Sequence, residues 1–154
     1  MNDPITQLLR NSRTIAVIGL SDNPMRPSYG VSEYMQKHGY RIIPVNPKHP
    51  DILGEKCYAA LQEIPHKIDM VDCFRKTADI VSIAQQAIAV GARVLWQQLG
   101  VANQEADALV RAAGLDSVMG RCVKIEHARL FGGLGWAGVN TKVISAKRPK
   151  QIAN

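Results

Sequence analysis

Apolar positions along the chain follow two rhythms. Nearly continuous β-rich runs occur at Thr14–Leu20, Arg41–Asn46 and Val94–Leu99, with an alternating run at Ile68–Phe74 and a shorter one at Ser117–Met119. Such runs are made by strands covered on both faces. Pro44 inside the second run requires a position where its missing donor does no harm. Between the runs the spacing changes to three and four. Tyr29, Val31, Tyr34, Met35 and His38 share one helix face, with Ser28 as the cap and Gly39 as the stop. Ile80, Ile83, Ala84, Ala87 and Ile88 form a second stripe, started by Thr77 and ended by Gly91. A third helix starts at Asn103, with Glu105 and Asp107 early, Arg111 late and Gly114 beyond, as the helix dipole favours. Shorter signals predict a helix at Ile5–Asn11, a helical piece at Tyr58–Gln62, and an extension of the last strand region at Cys122–Ile125.

Strands separated by roughly 10–15-residue helical patterns imply crossover connections and a parallel sheet. The expected fold is a single doubly wound α/β domain, with about five parallel strands and helices on both faces, filling residues 1–127. Residues 128–154, with glycines at 132, 133, 135 and 138, are expected to form a Gly-rich, basic carboxy-terminal extension.

Composition narrows the partners. The 154 residues are 46% hydrophobic and 21% charged, which excludes a disordered or collagen-like chain. No apolar run reaches the roughly 18 residues of a membrane helix, and the amino terminus does not resemble a signal peptide. Cys57, Cys73 and Cys122 are odd in number and lack CxxC spacing, so free thiols in a reducing cytoplasm are expected. The net charge of +6 is concentrated at Lys142, Lys147, Arg148 and Lys150; the other 15 basic residues face 13 acids. Aromatic residues are only 5%, and none interleave with Arg or Lys as a base-stacking surface would. A small-molecule nucleotide is the expected ligand, with no nucleic acid and no membrane.

In a doubly wound sheet, ligands bind outside the carboxyl ends of the strands, where the strand order reverses. The turn after the first strand is Gly19-Leu-Ser-Asp-Asn-Pro-Met-Arg-Pro-Ser28. Gly19 permits a tight exit, Ser21, Asn23 and Ser28 offer short polar groups, and Arg26 offers a guanidinium that forks onto phosphate. The dinucleotide fingerprint GxGxxG is absent, because Ser21 and Pro24 stand at its second and third glycine positions. The second strand ends Val45-Asn46-Pro47-Lys48. An NAD site places an acid there for the ribose; Asn46 lacks that charge, and Lys48 suits another phosphate. Both departures point to a phosphorylated nucleotide other than NAD.

These segments, with Leu53-Gly-Glu55, Asp72-Cys-Phe-Arg75, Trp96-Gln-Gln-Leu-Gly100 and Arg121-Cys-Val-Lys-Ile-Glu126, resemble the small stand-alone CoA-binding domain proteins. Those proteins are similar to the amino-terminal domain of the succinyl-CoA synthetase α-subunit. The resemblance spans about Thr14 to Glu126 and implies a Rossmann-type fold with CoA or an acyl-CoA as ligand. It also implies that Ser21 to Arg26 hold the pyrophosphate and that Lys48 approaches the nucleotide end. Phe74, Arg75, Gln97, Gln98 and Gly100 are then implied to line the cleft towards the pantetheine arm.

Catalytic and metal signatures are absent. The histidines at 38, 49, 66 and 127 show no HxxxH spacing, and there is no GxSxG elbow or zinc-ligand cluster. Asp69 and Asp72 fall on opposite strand faces and form no carboxylate pair. Cys122, although next to Arg121, is expected to be a buried thiol, and Trp96 a core residue. Two readings stay open. One is a binding module without its own catalysis. The other is an NAD(P)-dependent oxidoreductase, or a CoA-dependent ligase or transferase component that needs a partner.

Overall fold

A computed structural model describes residues 3–132. The chain begins with helix α1 (Pro4–Asn11), capped by the Asp3 carboxylate, which accepts from the Ile5 N–H at 2.9 Å. Strand β1 (Thr14–Ile18), helix α2 (Pro27–Lys37) and strand β2 (Arg41–Val45) follow. A small hairpin, β3 (Asp51–Ile52) and β4 (Glu55–Lys56), precedes β5 (Met70–Cys73). The remaining elements are α3 (Ile80–Ala89), β6 (Val94–Gln97), α4 (Gln104–Ala112), β7 (Asp116–Val118) and α5 (Val123–Phe131).

Five strands form one parallel sheet in the order β2-β1-β5-β6-β7. This is the expected doubly wound α/β architecture. Pro44 lies on β2, an edge strand, where the missing N–H costs little. Side chains alternate across the sheet. Ala16, Ile18, Val71, Cys73 and Leu95 pack towards α3 and α4; Ile15, Val17, Met70, Val94 and Trp96 pack towards α1, α2 and α5. Trp96 is fully buried, and its indole N–H donates to the Arg121 carbonyl at 2.7 Å.

Four local expectations are corrected. Ser28 does not cap α2: Pro27 opens the helix, Arg26 is the cap position without a side-chain bond, and the Ser28 hydroxyl accepts from the Ser21 N–H. Thr77 starts a 3₁₀ turn, Thr77–Asp79, one turn ahead of α3. The helical piece at Tyr58–Gln62 is instead a 3₁₀ turn at Leu61–Glu63. Cys122–Ile125 is no strand: Cys122 is the cap position of α5, and the Val123 N–H is taken by the Gln98 side chain at 3.1 Å. The helix runs on to Phe131, and residues 133–154 lie outside the described residues. Among the described residues, no helix is long and apolar enough to cross a membrane.

Candidate functional site

The connection from β1 leads to β2 on one side, whereas β5, β6 and β7 extend on the other. The order therefore reverses between β1 and β5, and the switch point where sheets of this kind bind ligands falls at their carboxyl ends. Gly19 sits there with φ +84°. A Cβ there would lie 2.5 Å from the Phe74 carbonyl oxygen and 3.1 Å from Cδ of Arg75. Only glycine allows the β1 and β5 ends to approach this closely.

The loop from Gly19 to Arg26 is shaped by its own short side chains. The Ser21 N–H donates to Ser28 Oγ at 2.9 Å, the Asn23 N–H to Ser21 Oγ at 3.0 Å, and the Met25 N–H to Asn23 Oδ1 at 2.9 Å. These bonds hold the loop open without a glycine-rich sequence. The expected polar residues are thus brought together, with several of their acceptors already engaged. Asn46 binds the loop to the end of β2. Its Nδ2 donates to the Leu20 carbonyl at 3.0 Å and its Oδ1 accepts from the Lys48 N–H at 2.8 Å. Pro47 and Lys48 follow in an exposed turn, and His49 lies 3.5 Å from the Asp22 carboxylate. Arg26 and Lys48 are both exposed, and among the described residues neither has a carboxylate within ion-pair distance. Two cations without carboxylate partners among the described residues therefore stand on loops that Asn46 ties together.

The far wall differs from the sequence-based expectation. Phe74 is half-buried against the α2 side, and Arg75 pairs with Asp79 at 3.2 Å. Gln97 is completely enclosed. Its Oε1 accepts from the Asn103 N–H at 2.7 Å and its Nε2 donates to the Asn103 carbonyl at 3.1 Å, so both ends of the amide are spent. Gln98 is buried and holds the first N–H of α5. These two residues stand at the end of β6 as expected, but their bonds go to protein. Gly100, exposed with φ +82°, completes the turn.

Sequence reasoning missed Asn103 as a clamp. Besides capping α4 through the Ala106 N–H, it donates to the Thr77 carbonyl at 2.8 Å and joins the β5 and β6 loops. Its cap signal was visible; its cross-loop bond was not. Met25 and Leu99, 88% and 61% exposed, are apolar side chains on the β1 and β6 loops, and no periodicity marked them. Reactive thiols are not a feature here. Burial pushes the Cys122 thiol up despite the Ile125 and Lys124 N–H groups beside it, and burial pushes Cys73 up further.

A family model described as a CoA binding domain matches residues 13–128. The chain belongs to this CoA-binding domain family. The resemblance to stand-alone CoA-binding domain proteins therefore holds. YneT of Bacillus subtilis (strain 168) is 41% identical over 124 residues, 80% of this chain and 92% of that protein. The solved structure of a hypothetical protein from Pyrococcus horikoshii OT3 superposes with a TM-score of 0.81 at 41% identity, covering 83% of this chain and 90% of that one. The α-subunit of acetate–CoA ligase (ADP-forming) II from Pyrococcus furiosus is 36% identical over 61 residues. That stretch is 39% of this CoA-binding domain chain and only 13% of the ligase subunit.

Proposed function

We propose that the domain binds CoA or an acyl-CoA at the switch point between β1 and β5, as a binding module without its own catalysis. The observation that carries this reading is the pair of uncompensated cations, Arg26 and Lys48, on loops joined by Asn46 where an NAD site would hold an acid. Ser21, Asn23 and Arg26 would meet the pyrophosphate, with Gly19 and Ser28 setting the loop that presents them. Lys48, carried by Asn46 and Pro47, would meet the ribose phosphate that distinguishes CoA from most adenine nucleotides. Phe74, Arg75 and Gly100 would border the pantetheine arm, and Gln97 and Gln98 would hold that wall in place. Cys57, Cys73 and Cys122 are free and buried, in keeping with a reducing compartment such as the cytoplasm.

Calorimetry with CoA, dephospho-CoA and NAD tests the assignment. CoA is expected to bind in preference to NAD. Arg26→Ala should weaken CoA by about tenfold or more, since a charge-assisted contact contributes roughly 1.5–3 kcal/mol. Lys48→Glu should weaken CoA more than dephospho-CoA, which lacks the 3′-phosphate. Binding of NAD but not CoA would overturn the ligand, and equal losses for the two CoA species would remove Lys48 from phosphate recognition.

A further inference from the structure

The opposite end of the sheet holds a concavity. It is an open groove where α1 ends and β1 and β2 begin, bordered by α5, with a volume of about 340 Å³. That is near the lower end of small-ligand pockets, room for one ring and one acidic group rather than a dinucleotide.

Its lining is cationic and aromatic. Arg10 and Arg13 both reach it, and among the described residues neither guanidinium pairs with a carboxylate. Among the described residues, no Asp or Glu lines it. The nearby Asp69 carboxylate is directed at the backbone, accepting from the Arg13 and Thr14 N–H groups at 2.8 and 3.0 Å. Two imidazoles, His38 and His127, stand 5.0 Å apart in the wall. His127 Nδ1 and the Tyr34 hydroxyl share a hydrogen bond at 3.0 Å, and burial pushes that phenol up to about 12, so the phenol keeps its proton. Burial and the neighbouring His38 ring push the His127 imidazole down, towards its neutral form. Aromatic rings line the rest of the groove. Phe131 lies 5.0 Å from His127 and beneath the Arg10 guanidinium at 5.6 Å. Tyr40 is fixed by its hydroxyl bond to the Leu9 carbonyl at 2.8 Å.

We propose that this groove binds a small aromatic anion, its phosphate or carboxylate at Arg10 and Arg13 and its ring against the aromatic wall of Tyr40, His127 and Phe131. Guanidinium groups without carboxylate partners supply forked donors for the acid, and the clustered aromatic rings supply a surface for a planar body. Neither group alone specifies the ligand; together they ask for charge and ring in one molecule. The site is independent of the switch point at the other end of the sheet, and so of whether CoA binds there.

Titration of the ¹⁵N-labelled full chain with phenyl phosphate tests this. Saturable shifts are expected at the amides of His38, Gly39, Tyr40 and Phe131, with the Ser21–Arg26 loop unmoved. Inorganic phosphate should bind at least tenfold more weakly, because it lacks the ring. The Arg10→Ala/Arg13→Ala double variant should bind phenyl phosphate at least tenfold more weakly than the parent while retaining its amide spectrum. An Arg10→Lys/Arg13→Lys variant, which preserves charge and stems, should lose less. Absence of saturation, shifts confined to Asn23, Arg26 and Lys48, or unchanged affinity in both double variants would overturn the site. Equal affinity for inorganic and phenyl phosphate would overturn the aromatic assignment.

Discussion

The two sides of the sheet bury polar groups on different terms. Towards α3 and α4, the buried polar side chains have partners: Gln97 closes on Asn103 from both ends, and the Ser117 hydroxyl donates to Asp107, whose carboxylate also receives Arg111. Towards α1, α2 and α5, Gln98 and Trp96 are likewise satisfied, but Asp72 Oδ1 and Ser32 Oγ are buried without a hydrogen-bond partner. Asp72 is only 1% exposed. Its register partners Val17 and Trp96 belong to the second core, so it points to the α2/α5 side. The contrast separates two uses of buried polarity. A paired amide fixes where a loop sits. A carboxyl with one oxygen left unpaired acts chiefly through its proton.

The largest effect expected from this contrast lies on the satisfied side. Leu95 is fully buried on β6 and faces α3 and α4. Leu95→Ala removes buried apolar volume from a close-packed layer and should cost about 2–5 kcal/mol. Because no titrating group is exposed or paired by the change, urea unfolding should show the same loss at pH 5 and pH 8. A loss that varies with pH would erase the distinction between the two sides.

Asp72→Asn addresses the other side. Burial holds the Asp72 carboxyl well above its usual range, so the native state keeps a proton that the unfolded chain releases near pH 4. Between the unfolded value and the raised folded value the native state binds more protons, and stability falls as pH rises. Below the unfolded value both states are protonated and the penalty vanishes. Asparagine occupies nearly the same volume and carries no titratable proton. The variant should therefore match the parent near pH 3–4 and exceed it at neutral pH by about 1–3 kcal/mol, the scale of an unsatisfied buried group. Parallel stability–pH curves for the two proteins would show that Asp72 does not carry this dependence.

Much of this arrangement was legible along the chain, for a physical reason. The sheet strands are buried on both faces and announce themselves as apolar runs, and Gly19 follows the first of them directly. The β3–β4 hairpin was not legible. Its strands have two residues each, and its turn uses Leu53 and Gly54, φ +56° and +76°, without the usual Asn-Gly or Asp-Gly. Cys122–Ile125 misled because Val123 and Ile125 alternate like a strand over four positions. The helix shows only when Glu126, His127 and Phe131 are included in the period. At the switch point, residue types and loop positions could be read, but not which side chains were already spent. The spending of Gln97 on Asn103 depends on how two loops meet, as does the isolation of Asp72 under α2 and α5.

The smallest effect separates an isolated polar atom from an isolated proton-bearing one. Ser32 lies on α2 next to Val31, 1% exposed, and its hydroxyl has no partner among the described residues. Serine in a helix interior is already less favourable than alanine, because its hydroxyl competes for the backbone. Here it also gives up water without replacement. Ser32→Ala deletes one small atom, so any void it leaves is slight. Against that void stand the desolvation removed and the helix propensity gained. The net result should be a stabilisation of about 0.5–1 kcal/mol in urea unfolding. Unlike the Asp72→Asn gain, it should stay constant from pH 4 to pH 8, because a serine hydroxyl does not titrate there. A destabilisation would show that the Ser32 hydroxyl has a partner after all and would place it with Gln97 among the residues that fix geometry.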